Sequence, residues 1–513
     1  MNDFAGILLA PWPALCAALL LSLLLDRLVR PAQTASQRAA AGWLIQLGLV
    51  MLAFTLLLAV CQRPWFAAAL TLAGQLLVVL VNNAKYQALR EPFVFTDFGL
   101  FSQAIKHPRL YLPFLGVLPA MAGVLAFGLT LYLGLALESS LLADGLLRAF
   151  ALAVALPLSL AGVLLVIGTR LAAPAALDAT ADLHRFGLLA SLWLYRLAEW
   201  QHDLHHPEHP ARNAAGFNIA PASDTPLPHI VAIQSESFFD VRRLHPAIRA
   251  ELLTHFDAAC QQAAAHGRLS VPAWGANTMR TEFAFLSGLS DEQLGVDRFN
   301  PYRRFAHHPW PTLASELRAA GYRTVCVHPH PASFFARDRV YPQLGFDEFI
   351  DIRAFPGAPK CGPYISDAAV TAKIRALLAD ATQPTFLFVI TMENHGPLHL
   401  EQVSAADSDR LYQAPPPVGF DDLTVYLRHL HNADRMIGDL VTLLEDADDD
   451  AVLCFYGDHV PSMPQVYAAS GFEDGRSDYL IWRRGAAAGA TQDLKAEQLG
   501  QRLLAVAGLT PAS

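Results

Sequence analysis

Cysteine and charge are both scarce in this chain, and their scarcity excludes several classes of protein. The 513 residues include 6 cysteines, no two of them spaced as Cys-x-x-Cys, so we expect neither a disulfide framework nor a zinc-ribbon module. Charged residues make up only 16% of the chain, whereas hydrophobic residues make up 53% and the mean hydropathy is +0.30. This balance is too apolar for an ordinary soluble enzyme, and the length is too great for a single domain.

The few charges are unevenly divided. Residues 1–171 contain 10 Lys and Arg against 6 Asp and Glu, a net charge of +4, whereas residues 172–513 contain 27 against 40, a net charge of −13. No basic stripe interrupts the acidic part of the chain. Binding to nucleic acid needs clustered cations opposite the phosphates, so nucleic acid is excluded as a partner.

Long hydrophobic runs occupy the first third of the chain. Crossing a bilayer as a helix takes about 20 apolar residues, because lipid offers the backbone no hydrogen-bond partner. Five stretches qualify: Phe4–Leu25, Ala41–Cys61, Trp65–Val81, Leu110–Leu137 and Ala149–Ile167. The first lacks a small-residue cleavage signal and is interpreted as an uncleaved anchor. We therefore predict an α-helical membrane domain over residues 1–171.

The loops between these stretches give an orientation signal. Basic residues concentrate in the first loop (Arg27, Arg30, Arg38) and the third loop (Lys85, Arg90, Lys106, Arg109). The positive-inside rule places such loops, and with five spans also the C-terminal domain, in the cytoplasm. The third loop also mixes charged and aromatic residues between Asn82 and Arg109, which is typical either of an anionic-lipid site or of a plain interfacial loop.

Residues 172–225 are predicted to be an interfacial helix followed by a linker. The stretch His184–Trp200 has the pattern of one amphipathic helix lying on a membrane surface. The polar segment from Gln201 to Thr225 contains four histidines, His202, His205, His206 and His209. A tract of this kind either binds metal or is a solvated linker.

From residue 226 to residue 513, short apolar runs alternate with helical patterns, as in an α/β domain with a mainly parallel sheet. The predicted strands are His229–Gln234, Thr324–His328, Thr385–Thr391 and Ala451–Tyr456. The predicted helices are Thr312–Ala320, Ala369–Ala381 and Leu423–Glu445.

Polar residues follow the carboxyl ends of three predicted strands, the edge at which open α/β sheets place their chemistry. Glu236 follows the first strand, His395 follows the third, and the pair Asp458-His459 follows the last. Two carboxylates and one imidazole suit a divalent cation, with Mn²⁺, Mg²⁺ and Zn²⁺ all compatible.

A fourth cluster is the Gly/Asn turn that leads into a helical pattern at Thr278. The threonine hydroxyl becomes a nucleophile only when a metal or a base activates it. A helix that starts just after Thr278 would also point free backbone N–H groups at an anion such as phosphate. Each polar group alone is more often a cap or a surface pair, but their coincidence in one domain favours an active site.

At these residues the chain resembles the lipoteichoic acid synthase and phosphoglycerol transferase family, membrane-anchored members of the alkaline-phosphatase/sulfatase superfamily. In that family the strand-end Glu, the Thr of the turn and the Asp-His pair bind one Mn²⁺ or similar ion. The resemblance implies that the metal ligands here are Glu236, Thr278, Asp458 and His459, with Thr278 also the nucleophile. Thr281 is the nearby competitor, but Thr278 fits the family pattern of a Thr followed four residues later by Glu-Phe.

The resemblance also implies a substrate pocket built from Phe335, Arg337 and His395. The family has an aromatic-x-Arg motif before an Asp, a Leu-Gly-aromatic element, here Leu344-Gly345-Phe346, and a His after the third strand. It carries Trp where Phe335 stands, so the stacking face is kept while the indole donor is lost. Phe335 is either this pocket residue or a packed core aromatic, and the guanidinium of Arg337 matches phosphate oxygens.

Two further pairs of residues are candidates, one for the site and one for a disulfide. His328 and His330 follow the second predicted strand and rank below His395 as site residues. Cys260 and Cys361 are candidates for a disulfide in an oxidising compartment, which the sequence cannot decide.

The implied function is transfer of glycerophosphate from phosphatidylglycerol, through a phospho-threonine intermediate, to a hydroxyl of a cell-envelope glycan or polymer. The implied cofactor is one divalent ion, Mn²⁺ before Mg²⁺ or Zn²⁺, and the lipid bilayer is the remaining partner. The resemblance places the protein in the inner (cytoplasmic) membrane with a periplasmic or extracellular catalytic domain, against the loop charges, and we follow the resemblance.

The alternatives are a phosphoethanolamine transferase or a phosphodiesterase on the same fold and, from another class, a non-catalytic membrane sensor or scaffold. A true sulfatase is disfavoured, because no Cys/Ser-x-Pro-x-Arg sequence is available for conversion to formylglycine.

Overall fold

A computed structural model of the chain describes residues 4–34, 36–100, 117–143, 145–205, 217, 219, 226–305 and 309–509. The chain divides into two compact units, residues 1–205 and residues 206–513. Three predicted features lie outside the described residues: the loop positions Lys106 to Arg109, the first residues of the span predicted from Leu110, and most of the linker with its His206 and His209.

The described residues of the first unit form helices joined by loops. Its α-helices are α1 (Phe4–Leu9), α2 (Pro11–Leu25), α3 (Ala40–Cys61), α4 (Pro64–Leu89), α5 (Val117–Leu137), α6 (Leu147–Leu171), α7 (Ala179–Phe186) and α8 (Leu188–His205). Within the described residues, four helices are long and apolar enough to cross a membrane, namely Phe4–Leu28, α3, α4 and α6. Helix α5 lies where the fourth span is predicted. The predicted class of the N-terminal region, a set of long apolar helices, is confirmed, whereas its bounds at residues 1–171 stay a prediction.

Some of the basic residues that bear on orientation form ion pairs inside this unit. The Arg38 guanidinium pairs with the buried carboxylate of Asp26, and the Lys85 ammonium lies 2.7 Å from Glu91 Oε1 and 2.6 Å from Asp97 Oδ2. Charged groups within a membrane bundle persist when they are paired in this way. Lys85 is therefore engaged by two carboxylates of its own chain rather than presented to a lipid headgroup.

The helix predicted over His184–Trp200 is broken into α7 and α8 at Gly187. This glycine has φ +84°, and a Cβ there would lie 2.4 Å from the Arg38 guanidinium carbon, so only glycine fits. The two helices are joined again through the Tyr195 hydroxyl, which donates to Asp182 Oδ2 at 2.8 Å. The prediction of one continuous helix is wrong because the chain must bend around Arg38.

The second unit is built on an eight-stranded sheet of order β10-β2-β9-β8-β1-β7-β3-β4, with a separate two-stranded hairpin β5-β6. The strands are β1 (His229–Ser235), β2 (Ala265–Ser270), β3 (Arg323–Val327), β4 (Glu348–Ile350), β5 (Lys360–Cys361), β6 (Tyr364–Ile365), β7 (Thr385–Ile390), β8 (Ala451–Gly457), β9 (Ser477–Arg483) and β10 (Leu494–Lys495). The run β8-β1-β7-β3-β4 is parallel throughout. The four predicted strands are β1, β3, β7 and β8, and the predicted α/β class is confirmed.

Helices cover both faces of this sheet. They are α9 (Thr254–Gln262), α10 (Thr278–Ser287), α11 (Asp291–Leu294), α12 (Pro301–Phe305), α13 (Leu313–Ala319), α14 (Arg337–Gln343), α15 (Asp367–Ala379), α16 (Ala405–Leu411), α17 (Asp421–Glu445), α18 (Pro464–Ser470) and α19 (Ala496–Ala507). Alternate residues of β1 serve the two cores: Val231 and Ile233 belong to the core with α17, and Ile230 and Ala232 to the core with α10 and α19. The sheet is therefore buried on both sides, as parallel sheets are.

Candidate metal centre

The first and last strands of the predicted site are direct neighbours in the sheet. Strands β1 and β8 run parallel, and their register pairs Ser235 with Gly457, so the residues that follow, Glu236 and Asp458, meet at one edge. Gly457 makes this approach possible, since a Cβ there would lie 1.8 Å from the carbonyl oxygen of Phe238. The parallel pairing therefore brings together side chains more than 200 positions apart in sequence.

Glu236, Asp458 and His459 form one buried group, the strand-edge cluster, in which each residue offers a ligand atom within 4.8 Å of the others. His459 Nε2 lies 3.6 Å from Glu236 Oε1 and 3.4 Å from Asp458 Oδ2. His459 Nδ1 faces the carbonyl oxygen of Val460 at 3.0 Å, so Nδ1 carries the proton and Nε2 turns its lone pair toward the two carboxylates. Three acceptor atoms thus converge on one point.

The electrostatics of the cluster show that it needs a positive charge. Burial, reinforced by the negative charge of Asp458, raises the pKa of Glu236 to about 8. Asp458 Oδ1 accepts the Ser237 N–H at 2.8 Å, but Asp458 Oδ2 is buried without a hydrogen-bond partner among the described residues. Such an orphaned carboxylate oxygen is costly unless a cation compensates it. The donor set of two carboxylates and one imidazole therefore fits a divalent metal ion.

Thr278 is the first residue of helix α10, which is tethered beside the cluster by two hydrogen bonds, one from the turn before the helix and one from its first turn. The Gly275 N–H donates to the carbonyl oxygen of Val460 at 2.9 Å, and the Thr281 hydroxyl donates to the carbonyl oxygen of Asp458 at 2.7 Å. The hydroxyl of Thr281 is thus committed to the backbone. Thr278 is 8% exposed and its hydroxyl has no hydrogen-bond partner within the described part of the chain, which leaves it available for chemistry.

Backbone strain concentrates beside the predicted site residues. In the second unit, the described non-glycine residues with positive φ are Ser237 (+56°), Asn277 (+65°), Phe335 (+53°) and Ala336 (+55°). They immediately adjoin Glu236, Thr278 and Arg337. Left-handed conformations of this kind cost free energy and cluster at functional sites, so they mark these three segments independently of side-chain chemistry.

Arg337 is held by a partner that the sequence analysis did not identify. Its side chain is 1% exposed and forms a two-point ion pair with Glu282, with Nε 3.2 Å from Oε2 and Nη2 against Oε1. The hydroxyls of Tyr302 and Tyr341 donate to the same carboxylate at 2.6 and 2.7 Å. Because Glu282 lies one helical turn after Thr278, it links the arginine to the helix of the predicted nucleophile. The Glu-Phe that follows Thr278 was the sequence signal for this link.

The nitrogen of Arg337 that does not contact Glu282, together with the histidines and the aromatic ring affected by Arg337, indicates a pocket. Arg337 Nη1 is buried without a hydrogen-bond partner among the described residues, and the positive charge of Arg337 helps to lower the pKa values of His328 and His395. The ring of the half-buried Phe335 lies 5.2 Å from the guanidinium carbon, a cation–π contact. Phe335 therefore packs both on Arg337 and against the core with α10 and α19, and its role in a substrate pocket stays a prediction.

His395 lies in the loop after β7, where Nδ1 is 2.7 Å from the carbonyl oxygen of Gly396 and 3.3 Å from the Tyr364 hydroxyl. Burial lowers the pKa of His395, against a smaller raising effect from Asp458. The imidazole is therefore neutral at pH 7, with its proton on Nδ1 and its lone pair on Nε2.

His328, which the sequence analysis ranked below His395, has the same electronic arrangement. Burial, followed by the charge of Arg337, lowers the pKa of His328 well below its ordinary value. Its Nδ1 faces the carbonyl oxygen of Ile390 at 3.1 Å, and its Nε2 has no hydrogen-bond partner among the described residues. His328 follows β3 directly, so the strand-end rule that found Glu236 applies to it equally.

Comparison with known proteins places this geometry in a family. The family model described as Sulfatase matches residues 228–509. The capsular polysaccharide biosynthesis protein RkpI of Rhizobium meliloti (strain 1021) is 30% identical over 463 residues, which cover 85% of this chain and 81% of that protein. Lipoteichoic acid synthase 1 of Bacillus subtilis (strain 168) is 25% identical over 143 residues, or 27% of this chain and 21% of that protein.

A solved structure resembles the chain across both units. The integral membrane lipooligosaccharide phosphoethanolamine transferase A (EptA) from Neisseria meningitidis has a TM-score of 0.51 at 12% identity, covering 92% of this chain and 96% of that one. At this identity the likeness concerns the fold: apolar helices followed by an α/β domain. The family model spans more than half of the chain, and a relative aligns over most of both sequences. The resemblance inferred from the motifs is therefore confirmed, and this chain belongs to the Sulfatase family.

Proposed function

We propose that this protein is a metal-dependent phosphoglycerol transferase of the cell envelope. It takes glycerophosphate from phosphatidylglycerol and passes it to a glycan or polymer hydroxyl through an intermediate on Thr278. The observation that carries the proposal is the strand-edge cluster, three converging acceptors with an orphaned carboxylate oxygen, beside a helix N-terminus whose first residue has a free hydroxyl.

Glu236, Asp458 and His459 hold the divalent ion, with Thr278 as a further ligand. When bound, the cation lowers the pKa of the Thr278 hydroxyl and offsets negative charge on the phosphoryl oxygens. The first N–H groups of α10 face the same anion. Mn²⁺ is our first choice, because two of the three clustered donors are hard oxygens.

Arg337 and His395 act on the substrate. Arg337 already balances Glu282 with two of its nitrogens, which leaves Nη1 to donate to a phosphoryl oxygen. The two left-handed residues before Arg337 fix the direction of its side chain, and Phe335 stacks against it. His328 Nε2 accepts a hydrogen bond from the headgroup.

The two chemical steps conserve protons through His395. In the first step the Thr278 oxygen bonds to phosphorus while the bond to the diacylglycerol oxygen breaks, and the proton of Thr278 passes by way of His395 to the leaving oxygen. In the second step the acceptor oxygen bonds to phosphorus while the bond to the Thr278 oxygen breaks, and the proton of the acceptor hydroxyl passes by way of His395 to the Thr278 oxygen. A neutral imidazole with a lowered pKa suits both transfers.

The membrane helices keep the enzyme in the bilayer that contains its lipid donor, because a diacyl lipid hardly leaves that bilayer. We place the protein in the inner membrane with the catalytic unit on the periplasmic or extracellular side, where glycan acceptors are found. A relative described as a capsular polysaccharide biosynthesis protein supports a glycan acceptor.

The second candidate is a phosphoethanolamine transferase. The chain shares its fold, membrane helices included, with a solved phosphoethanolamine transferase. The same cluster, nucleophile and arginine would serve either headgroup, so the geometry of the phosphoryl site is common to both candidates.

Lipid turnover by the purified protein tests the proposal. With Mn²⁺, we expect diacylglycerol release from phosphatidylglycerol in preference to phosphatidylethanolamine. We expect Thr278→Ala to lose turnover by at least about 10³-fold. Thr278→Ser, which keeps a hydroxyl, is the matched control and should retain part of it. Full activity in Thr278→Ala would eliminate the covalent mechanism, and preference for phosphatidylethanolamine would select the second candidate.

A further inference from the structure

A second group of metal-type donors lies apart from the strand-edge cluster. It joins Cys361 at the end of the β5 strand, Glu393 in the loop after β7, and His429 in the middle of α17, with ligand atoms all within 4.8 Å of one another. We call these three residues the hairpin cluster. Glu393 and His429 are fully buried and Cys361 is half-buried, so the donors are largely shielded from solvent.

The spacing of these donors matches one tetrahedral ion. Cys361 Sγ lies 3.4 Å from His429 Nδ1, and the same Nδ1 lies 3.4 Å from Glu393 Oε1. Zinc bonds of about 2.3 Å to sulfur and about 2.0 Å to nitrogen or oxygen put tetrahedral ligand atoms about 3.3–3.6 Å apart. The two distances from His429 Nδ1 therefore match the separations that a single Zn²⁺ requires, and all three ligand atoms lie within 4.8 Å of one another.

The outer contacts of His429 orient it for this role. Its Nε2 lies 3.0 Å from Glu401 Oε1, and Glu401 is itself held by Arg428 at 2.6 Å. A carboxylate on the far nitrogen fixes the tautomer of a metal-binding histidine and makes it a stronger ligand. With the proton on Nε2, the Nδ1 lone pair points at Cys361 and Glu393.

An independent sign of a missing positive charge lies beside the cluster. Asp367 is 1% exposed, and neither of its carboxylate oxygens has a hydrogen-bond partner among the described residues. A buried carboxylate without a partner is costly unless a cation lies beside it.

We propose that Cys361, Glu393 and His429 bind a structural Zn²⁺ ion that is distinct from the ion of the strand-edge cluster. The thiolate selects zinc over Mn²⁺, which prefers oxygen ligands. Asn432 borders the site, because its side-chain amide donates to Glu393 Oε1 at 2.5 Å and contacts Cys361 Sγ at 3.6 Å.

The ion would cross-link three elements of the fold: the hairpin β5-β6, the loop after β7 and helix α17. The hairpin β5-β6 carries Tyr364, whose hydroxyl donates to the carbonyl oxygen of Gly396 at 3.0 Å and contacts His395. Fixing Cys361 to Glu393 and His429 therefore also fixes the hairpin against the His395 loop. The zinc would position His395 without touching substrate.

The test uses the purified full-length protein carrying Glu236→Gln, so that the hairpin cluster is the only one of the two with all its donors. Cobalt(II) titration should give a thiolate-to-metal charge-transfer band at one equivalent. Bound zinc should slow alkylation of Cys361 at least about tenfold, measured by peptide mass spectrometry. Neither measurement changes a residue of the hairpin cluster, so misfolding caused by the loss of a proposed zinc ligand cannot obscure the result.

Variants in the otherwise unmodified protein provide the controls. Cys361→Ser should lose one equivalent of zinc and the cobalt band, whereas Cys260→Ser, which changes a partly buried thiol outside the cluster, should lose neither. The proposal is overturned if the cobalt band is absent and Cys361 is alkylated equally fast with and without zinc. The cluster is then an ion pair, with a protonated His429 between two carboxylates.

Discussion

The strand-edge cluster and the hairpin cluster hold similar donors but are assembled in different ways. The first is produced by the sheet: two parallel neighbours end in register, and the next residues meet. The second joins a hairpin, a loop and the middle of a long helix, which no local pattern connects. The first contains two carboxylates and an imidazole, whereas the second replaces one carboxylate by a thiol. This difference in donors predicts different metals and separate roles, chemistry in one and positioning in the other.

The largest expected effect is selective loss of one metal at a time. Asp458→Asn removes a buried charge from the strand-edge cluster and should abolish Mn²⁺ binding and turnover, while one equivalent of zinc remains. Cys361→Ser should abolish zinc binding while Mn²⁺ remains bound. It should lower turnover only because His395 is then less well positioned. Elemental analysis of the two purified variants measures both contents. Loss of both metals in either variant would mean that the clusters are not independent.

Removing Arg337, which lies in the same unit as the strand-edge cluster, should lower the free energy of unfolding. Arg337→Ala leaves Glu282 buried without its counter-ion, which typically costs about 3–5 kcal/mol of the free energy of unfolding. The control is Arg323→Ala, which breaks the partly exposed pair with Glu348 and should cost less than about 1 kcal/mol. Chemical unfolding measures the loss of unfolding free energy in each variant. Equal losses would contradict the claim that Arg337 and Glu282 form a buried ion pair.

The two clusters also show what a sequence can and cannot predict. Glu236, Asp458 and His459 were found because strand ends are visible as apolar runs followed by polar residues. His328 obeys the same rule, and its part in the site stays a prediction. Glu282 was seen only as part of a motif, since its pairing with a residue 55 positions away depends on helix packing.

Elements whose bounds depend on tertiary contacts were harder to predict. The helix predicted from Ala369 begins at Asp367, because the Ser366 side chain caps it by accepting the Ala369 N–H. The disulfide left open between Cys260 and Cys361 is absent from the described structure, where both cysteines are free. Cys361 instead contacts His429, a partner that sequence spacing could not indicate.

A smaller change is expected at the outer contact of the hairpin cluster. Glu401→Gln removes the negative charge from His429 Nε2 without altering the three proposed ligands. Loss of such an outer carboxylate weakens metal binding by about 10–100-fold. Competition with a zinc chelator measures the change, and Mn²⁺ affinity in the same protein should be unaltered. Unchanged zinc affinity would show that Glu401 has no part in the cluster.

The smallest effect is a pH dependence confined to the strand-edge cluster. With the pKa of Glu236 raised from 4.5 to about 8, this carboxyl disfavours the metal-free folded state increasingly as pH rises through that window. Mn²⁺ must displace its proton, so affinity should rise up to about pH 8 and then level off. Calorimetry at pH 6.5 should show release of about one proton from this group, and almost none at pH 9.5. Equal affinity at both pH values would contradict the raised pKa.

The central claim is that Thr278 attacks phosphorus beside a metal held by the strand-edge cluster. Mass spectrometry of the protein after incubation with Mn²⁺ and isotopically labelled phosphatidylglycerol, without an acceptor, addresses it most directly. The account predicts one added glycerophosphoryl group, located on the peptide that contains Thr278 and absent from Asp458→Asn. Sustained turnover with no adduct, or an adduct on any other residue, would contradict it.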